Sequence, residues 1–498
     1  TCFIYNQSYR KENTNLIIKL IETVYAFLWG DLFTIPVMGS SIGISLMLLL
    51  LIPAGIYFTI RTRILPIRLF PDMIRALKEK KETPDSLSSL QTLIISTATR
   101  VGMGNLVGVV AAVSLGGAGA VFWMWITALL GASTAFVEAV LAQKYKEPDL
   151  LYGGYHGGPA YYIHHFVEEK RNKNATSTAS ADTFSSDAFS ANDRNCKRSI
   201  LACLFAISGL ICWCGISQVI SNSVSSAFAN AFQIPPVLTT VVLVVLAAVI
   251  VLQKNATVKI LDIMVPVMAV GFFLLTVFII LINLPKLPSV FVRIFTEAFG
   301  MRQAVSGGFG AILMNGVKRG LFSNEAGSGS APCAAAAAQS KDPVQTGLTQ
   351  SLGVLIDTIV ICSCTAMIML LAPEEITAGL TGMDLLQTAM HYHLGSAGVI
   401  FIAVTLALFS FSTFIGILFY ARSNVAYLFG NRWCYQTAYK VLALVMLFIG
   451  GLQQYTVVWD LGDVGIGLMT LFNIAVLYPM SKEALELLKQ YEKKKYSK

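Results

Sequence analysis

The chain is dominated by a succession of apolar runs, each near the ~20 residues that a helix needs to cross a hydrocarbon core. Such runs fall at about 36–60, 91–115, 118–143, 199–231, 236–252, 260–284, 303–338 (interrupted), 346–372, 395–425, 436–453 and 457–480. Hydrophobic residues make up 55% of the chain and charged residues 13%, against roughly 25% charged in soluble domains. Lipid must therefore be the solvent for most of the surface, and helices close their own backbone hydrogen bonds there. The expected architecture is an all-α membrane protein with about eleven spanning helices. Residues 16–33 carry Lys19, Glu22 and Asp31 among apolar neighbours, which suits an interfacial helix better than a further span.

The net charge of +8 is spread over short loops, which argues for membrane orientation rather than a nucleic-acid partner. Loop 61–89 holds Arg61, Arg63, Arg68, Arg75, Lys78, Lys80 and Lys81, and the tail ends in Lys493, Lys494 and Lys495. Loop 373–394 has no Lys or Arg. Eleven spans place every basic loop on one side, with the N-terminus outside and the C-terminus cytoplasmic. Residues 1–15 lack an apolar h-region, so no cleavable signal is expected. Residues 172–195 are rich in Ser, Thr, Ala, Asn and Asp and read as a disordered cytoplasmic loop. The cysteines form no CxxC pair and mostly sit in apolar runs, so neither metal nor disulfide is read from them. His156, His164, His165, His391 and His393 look loop-borne.

Two spans contain what a simple membrane helix avoids. One reads Ala98-Thr99-Arg100-Val101-Gly102-Met103-Gly104-Asn105; the other runs Gly316 to Gly329 through Lys318, Arg319, Asn324 and Glu325. Span two opens one set of five helices and span seven opens the next. Gly-interrupted helices at corresponding places in two halves point to a transporter site. An odd number of spans per unit makes the repeat inverted, over about 91–284 and 303–480, with 1–35 and 36–89 in front and 481–498 as a basic tail. At a helix restart, free N–H groups near Met103, Gly104 and Asn105 suit a carboxylate. At a helix stop, carbonyls near Gly320, Leu321 and Phe322 suit an ammonium. The pair describes an α-amino acid. The hydroxyls of Ser410, Ser412 and Thr413 either serve a sodium ion or bond back to their own helix.

The runs at 98–145, Gly157 to Ile163 and Gly316 to Pro332 resemble the alanine or glycine:cation symporter family over about 16–480. That resemblance implies a variant of the leucine-transporter (LeuT) fold: a ten-helix inverted repeat preceded by one helix. It implies sodium-coupled uptake of alanine or glycine, with sodium as the transported ion. It assigns Gly102, Met103, Gly104 and Asn105 to the substrate carboxylate, with Gln218, Leu321, Phe322, Ser323 and Asn324 also facing substrate. The sodium site would take carbonyls of Ala98 and Val101 and hydroxyls of Ser412 and Thr413. A second ion would involve Asn105 and Asp357. Met103 stands where many members have Thr, Ile417 where they have Trp, and Arg422 where they have an acid. The smaller Ile417 leaves room for a side chain larger than alanine's. The expected protein is a monomeric carrier of the plasma (inner) membrane. A proton-coupled carrier and a non-transporting sensor share this site. An intramembrane enzyme would need a nucleophile–base or metal constellation, and no HExxH occurs. Arg100, Glu138, Lys318, Arg319, Glu325, Asp357, Asp460 and Asp463 read as gating or structural pairs, such as Arg100 or Arg319 with Glu325. Asp460 and Asp463 could equally cap a helix start.

Overall fold

A computed structural model describes residues 16–37, 40–77, 100–178, 198–253, 257–300, 308–340, 342–453 and 455–496. Helix α1 (Leu16–Trp29) leads into a hairpin of β1 (Asp31–Val37) and β2 (Ser40–Ser45), paired antiparallel through Thr34–Gly43. The first expected span is therefore shortened. Residues 40–45 are β-strand, and helix α2 starts at Leu46 and runs to Arg61. The reason is local: Ser45 caps the helix by accepting from the Leu48 amide at 3.2 Å, a common stop for helical winding in the N-terminal direction. Short helices α3 (Leu65–Arg68) and α4 (Phe70–Ala76) follow.

A π-helix (Arg100–Gly108) continues into α5 (Val109–Gly116). The chain then forms α6 (Gly119–Lys144), α7 (Pro159–Thr178), α8 (Ile200–Phe232), α9 (Pro236–Val251), α10 (Thr257–Ile282) and α11 (Leu287–Ala298). Helices α12 (Gly308–Asn324) and α13 (Ala331–Ala337) flank a break. Helix α14 (Pro343–Leu355) passes through a second π-helix (Ile356–Cys362) into α15 (Ser363–Leu370). A single turn α16 (Glu374–Thr377) precedes α17 (Gly382–Phe429), which bends where Gly395 takes φ 60°. Helices α18 (Trp433–Gly450) and α19 (Tyr455–Tyr496) complete the order.

Among the described residues seven helices are long and apolar enough to cross a membrane; Leu46–Arg61, Gly102–Gly116 and Pro236–Val251 are shorter apolar helices. The surface fits this reading, because α10 exposes Val267, Leu274 and Leu281, residues that water would not tolerate as one continuous face. Inside, small residues let backbones touch. A Cβ on Gly215 of α8 would stand 2.3 Å from the Gly462 nitrogen of α19. Most of residues 172–195 lie outside the described residues.

Candidate functional site

Helix α12 stops because Glu325 adopts a left-handed φ of 56° and Gly327 and Gly329 follow at 94° and 83°. Glycine takes that conformation without a Cβ penalty, whereas Glu325 must be held there. The holding groups are buried. Glu138 of α6 accepts the Gly327 amide at 3.0 Å and the Gly329 amide at 3.1 Å. Asn473 of α19 donates to Glu138 at 2.5 Å and to the Gly327 carbonyl at 3.0 Å, and Tyr162 donates to Asn473. The carbonyls left at the helix end thus lie later than the sequence suggests. Gly320 is inside the helix, and a Cβ there would meet Thr127 Cβ of α6 at 3.1 Å. It is a packing residue. Leu321 closes the last turn by accepting from the Glu325 amide at 2.9 Å. Asn324 also turns to local work: its Oδ1 caps the Ala326 amide at 3.0 Å, and this oxygen lies 3.9 Å from a Cβ placed on Gly131 of α6.

The second span differs from expectation in another way. From Arg100 onward it is wound as a π-helix, so Gly102 to Asn105 lie within helix rather than in an unwound stretch. Its amides still find acceptors on side chains. The Gly102 amide donates to Asn105 Oδ1 at 3.0 Å and the Met103 amide to Thr413 Oγ1 of α17, also at 3.0 Å. Gly104 lies against the end of α12: a Cβ there would be 3.4 Å from Ser323 Cα and 3.5 Å from the Phe322 oxygen. The two motifs therefore meet. Asn105 Nδ2 reaches Asp357 Oδ1 at 2.8 Å and the Asp357 carbonyl at 3.1 Å. Ser323 and Thr358 donate to Asp357 Oδ2 at 2.7 and 2.8 Å, and Cys362 Sγ lies 3.0 Å from the Ser323 hydroxyl. Asp357 sits on the second π-helix, a form frequent at functional sites.

Thr413 donates to the Phe409 carbonyl at 2.8 Å while accepting from Met103, and Ser412 donates to the same carbonyl at 2.8 Å. Ser410 Oγ is buried with no hydrogen-bond partner among the described residues. Ile417 is buried one turn beyond Thr413. Gln218 faces elsewhere: its amide contacts Met446 Sδ of α18 at 3.4 Å, and a Cβ on Gly450 would stand 2.2 Å from its Cα. Ala98 lies outside the described residues. Val101 is in the π-helix, two residues before the Met103 amide.

Charged pairs bracket this centre. Before the break, Lys318 and Arg319 share Asp463 of α19, at 2.6 Å and at 3.1 and 3.2 Å. Asp463 is thus a counter-ion rather than a simple cap. Arg319 lies 3.9 Å from the Trp459 ring centre, and Phe322 packs on Trp459 at 4.9 Å. Arg319 does not use Glu325, which instead accepts from Tyr420 at 3.2 Å. Beyond the break, the loop after α6 carries Asp149. It accepts from Asn431 and from the Leu151 and Tyr152 amides, and contacts Arg422 at 3.2 Å and His156 at 3.6 Å. Burial raises that carboxyl, but His156, the Arg422 charge and these donors together hold it well below the usual carboxylate range. The sequence carries little warning of Tyr162, Asn473 and Cys362; only Asn473, a polar residue in an apolar run, gives a signal.

A helical membrane protein in which two glycine-rich motifs of corresponding spans meet at a buried polar centre has the plan of a secondary carrier. The chain itself matches the sodium:alanine symporter family model over residues 33–498. It is 37% identical to the probable sodium/glutamine symporter GlnT of Bacillus subtilis, covering 91% of this chain and 88% of that one. It is 36% identical to the amino-acid carrier protein AlsT of the same organism, over 96% and 92%. The sodium/alanine symporter AgcS of Methanococcus maripaludis is 32% identical over 93% and 95%. The chain belongs to the sodium:alanine symporter family and is a sodium-coupled amino acid transporter.

Proposed function

We propose that the protein carries a small neutral amino acid, alanine or glycine, into the cell with sodium, by alternating access through a ten-helix inverted repeat of the LeuT type. The observation that carries this reading is the meeting of the two glycine-rich motifs at one buried centre. The Gly102 and Met103 amides donate to the side chains of Asn105 and Thr413, and Gly104 lies against the Phe322 and Ser323 backbone. Amides at a helix start favour a carboxylate and carbonyls at a helix end favour an ammonium. A zwitterion satisfies both without a charged side chain. For sodium, the hydroxyl of Thr413 has two lone pairs, one of which accepts from Met103. The other is left for a cation shared with Ser412 and the carbonyls of Ala98 and Val101. In this reading the basic tail is cytoplasmic and the N-terminus outside the plasma membrane.

The test is uptake into proteoliposomes of the purified protein, with labelled alanine, glycine and larger neutral amino acids, with and without an inward sodium gradient. Gradient-dependent alanine or glycine accumulation is expected. Binding without accumulation would sink transport and leave a sensor. A second reading, proton coupling, is favoured by one feature: the carboxylate of Asp357 lies in the centre between Asn105 and Ser323. A proton gradient that drives uptake without sodium would establish it. The 37% identity to a relative named for glutamine, together with Ile417 beside the hydroxyl pair, supports including glutamine in the panel.

A further inference from the structure

Away from the transport site, the loop after α2 and the tail of α19 enclose a cavity of about 270 Å³. Its polar wall is Arg61, Arg63, Arg68 and Lys489, opposed by one acid, Glu492. Arg68 is already engaged: it donates to Glu492 at 2.7 Å and to the Thr62 carbonyl at 3.0 Å. Arg61 lies over the Tyr57 ring at 5.7 Å. Arg63 and Lys489 form no ion pair among the described residues. Among the described residues, three cations thus face one cavity with no counter-charge left for them.

The backbone here is also unusual. Arg63 and Ile64 both take left-handed φ, 56° and 53°, which is rare for a β-branched residue. Strain of this kind persists where surroundings over-determine it, often at ligand clamps. The same turn leaves Ile60, Ile64, Ile67, Phe70 and Ile74 exposed, Ile67 by 74%. An apolar rim beside a cationic floor is the pattern of a segment lying in a membrane interface. Guanidinium groups bind phosphate through paired charged hydrogen bonds.

We infer that this cavity binds the phosphate of an anionic phospholipid, with the acyl chains along Ile60, Ile64 and Ile67. A zwitterionic headgroup would bring its own ammonium against Arg63 and Lys489, so phosphatidylglycerol is selected over phosphatidylcholine. The test is native mass spectrometry of the delipidated full-length protein, titrated with each lipid at matched chain length. The wild-type protein retains phosphatidylglycerol preferentially. The double variant Arg63→Gln with Lys489→Gln loses roughly 30-fold in retention, taking each cation at about 1 kcal/mol and 1.4 kcal/mol per factor of ten. Arg75→Gln, a charge removed outside the cavity, keeps wild-type retention, and the Arg63→Gln single variant stands in should the double variant aggregate. Equal retention of the two lipids, or an unchanged variant, overturns the inference. So does thermal stabilisation by millimolar inorganic phosphate as large as that by the lipid, which would assign the cavity to a soluble anion.

Discussion

A β-carbon at Gly102 would stand 2.1 Å from Thr413 Oγ1, a contact that real structures do not tolerate. Gly102→Ala must therefore push the π-helix away from α17 and break the Met103–Thr413 hydrogen bond. Overpacking of this kind costs about 1–3 kcal/mol. The expected outcome is a lower melting temperature and loss of sodium-dependent uptake. Thr413→Ala in the same chain removes the clashing oxygen and recovers part of the melting temperature but not the uptake. Equal melting temperatures for the single and double variants would contradict the geometry. In the sequence Gly102 and Gly104 read as letting a ligand reach the backbone; in the structure Thr413 and the Ser323 and Phe322 backbone stand in that space. The directions of Gln218 and Asn324 were not legible in the sequence. A side chain's target depends on how its helix is rotated against its neighbours, and nothing near Gln218 in the sequence fixes the contact with Met446.

At the scale of elements, the interrupted helix was legible and its position was off by about a turn. The run Gly316 to Gly329 signals a break, but which glycine turns left-handed is decided by partners far along the chain. Glu138 lies 189 residues before Gly327, and Asn473 lies 146 after it. Glu138→Ala leaves two buried amides without acceptors, each costing about 1–3 kcal/mol. The variant is expected to melt well below the parent, with Glu138→Gln intermediate because its one oxygen still serves one amide. Thermal unfolding of the three proteins in one detergent reads this directly; a Glu138→Ala variant as stable as the parent would remove Glu138 as the brace. The β-hairpin before α2 was missed for a simpler reason. Residues 36–45 are apolar and small enough to read as the start of a helix, and hydropathy alone does not separate a short apolar strand from a helix.

Over the whole molecule, two ionic clusters bracket the site. Arg319 and Lys318 with Asp463 precede the break. Asp149 with Arg422 lies beyond it, where Gly158 packs so closely that a Cβ there would meet Cys333 Sγ at 2.8 Å. Under the proposed alternating access, one cluster opens while the other holds. Asp149 stays ionised at any neutral pH, because its folded value lies below the ordinary ~3.9. The stability it supplies is complete above about pH 5 and is lost only as pH falls through the folded value. Hence Asp149→Asn leaves the shape of the pH profile of uptake between about pH 5.5 and 8.5 unchanged, although it weakens the latch. What the substitution does change is which face opens. Cys333 is buried behind this loop, at 1% exposure, and reports on it when it is the one cysteine kept. Asp149→Asn is expected to speed its reaction with a polar maleimide several-fold. Asp463→Asn, at the opposite closure, leaves that rate unchanged or slower. Weakening one closure raises the population open on that side only, so equal acceleration in both variants would mean local loosening rather than alternation.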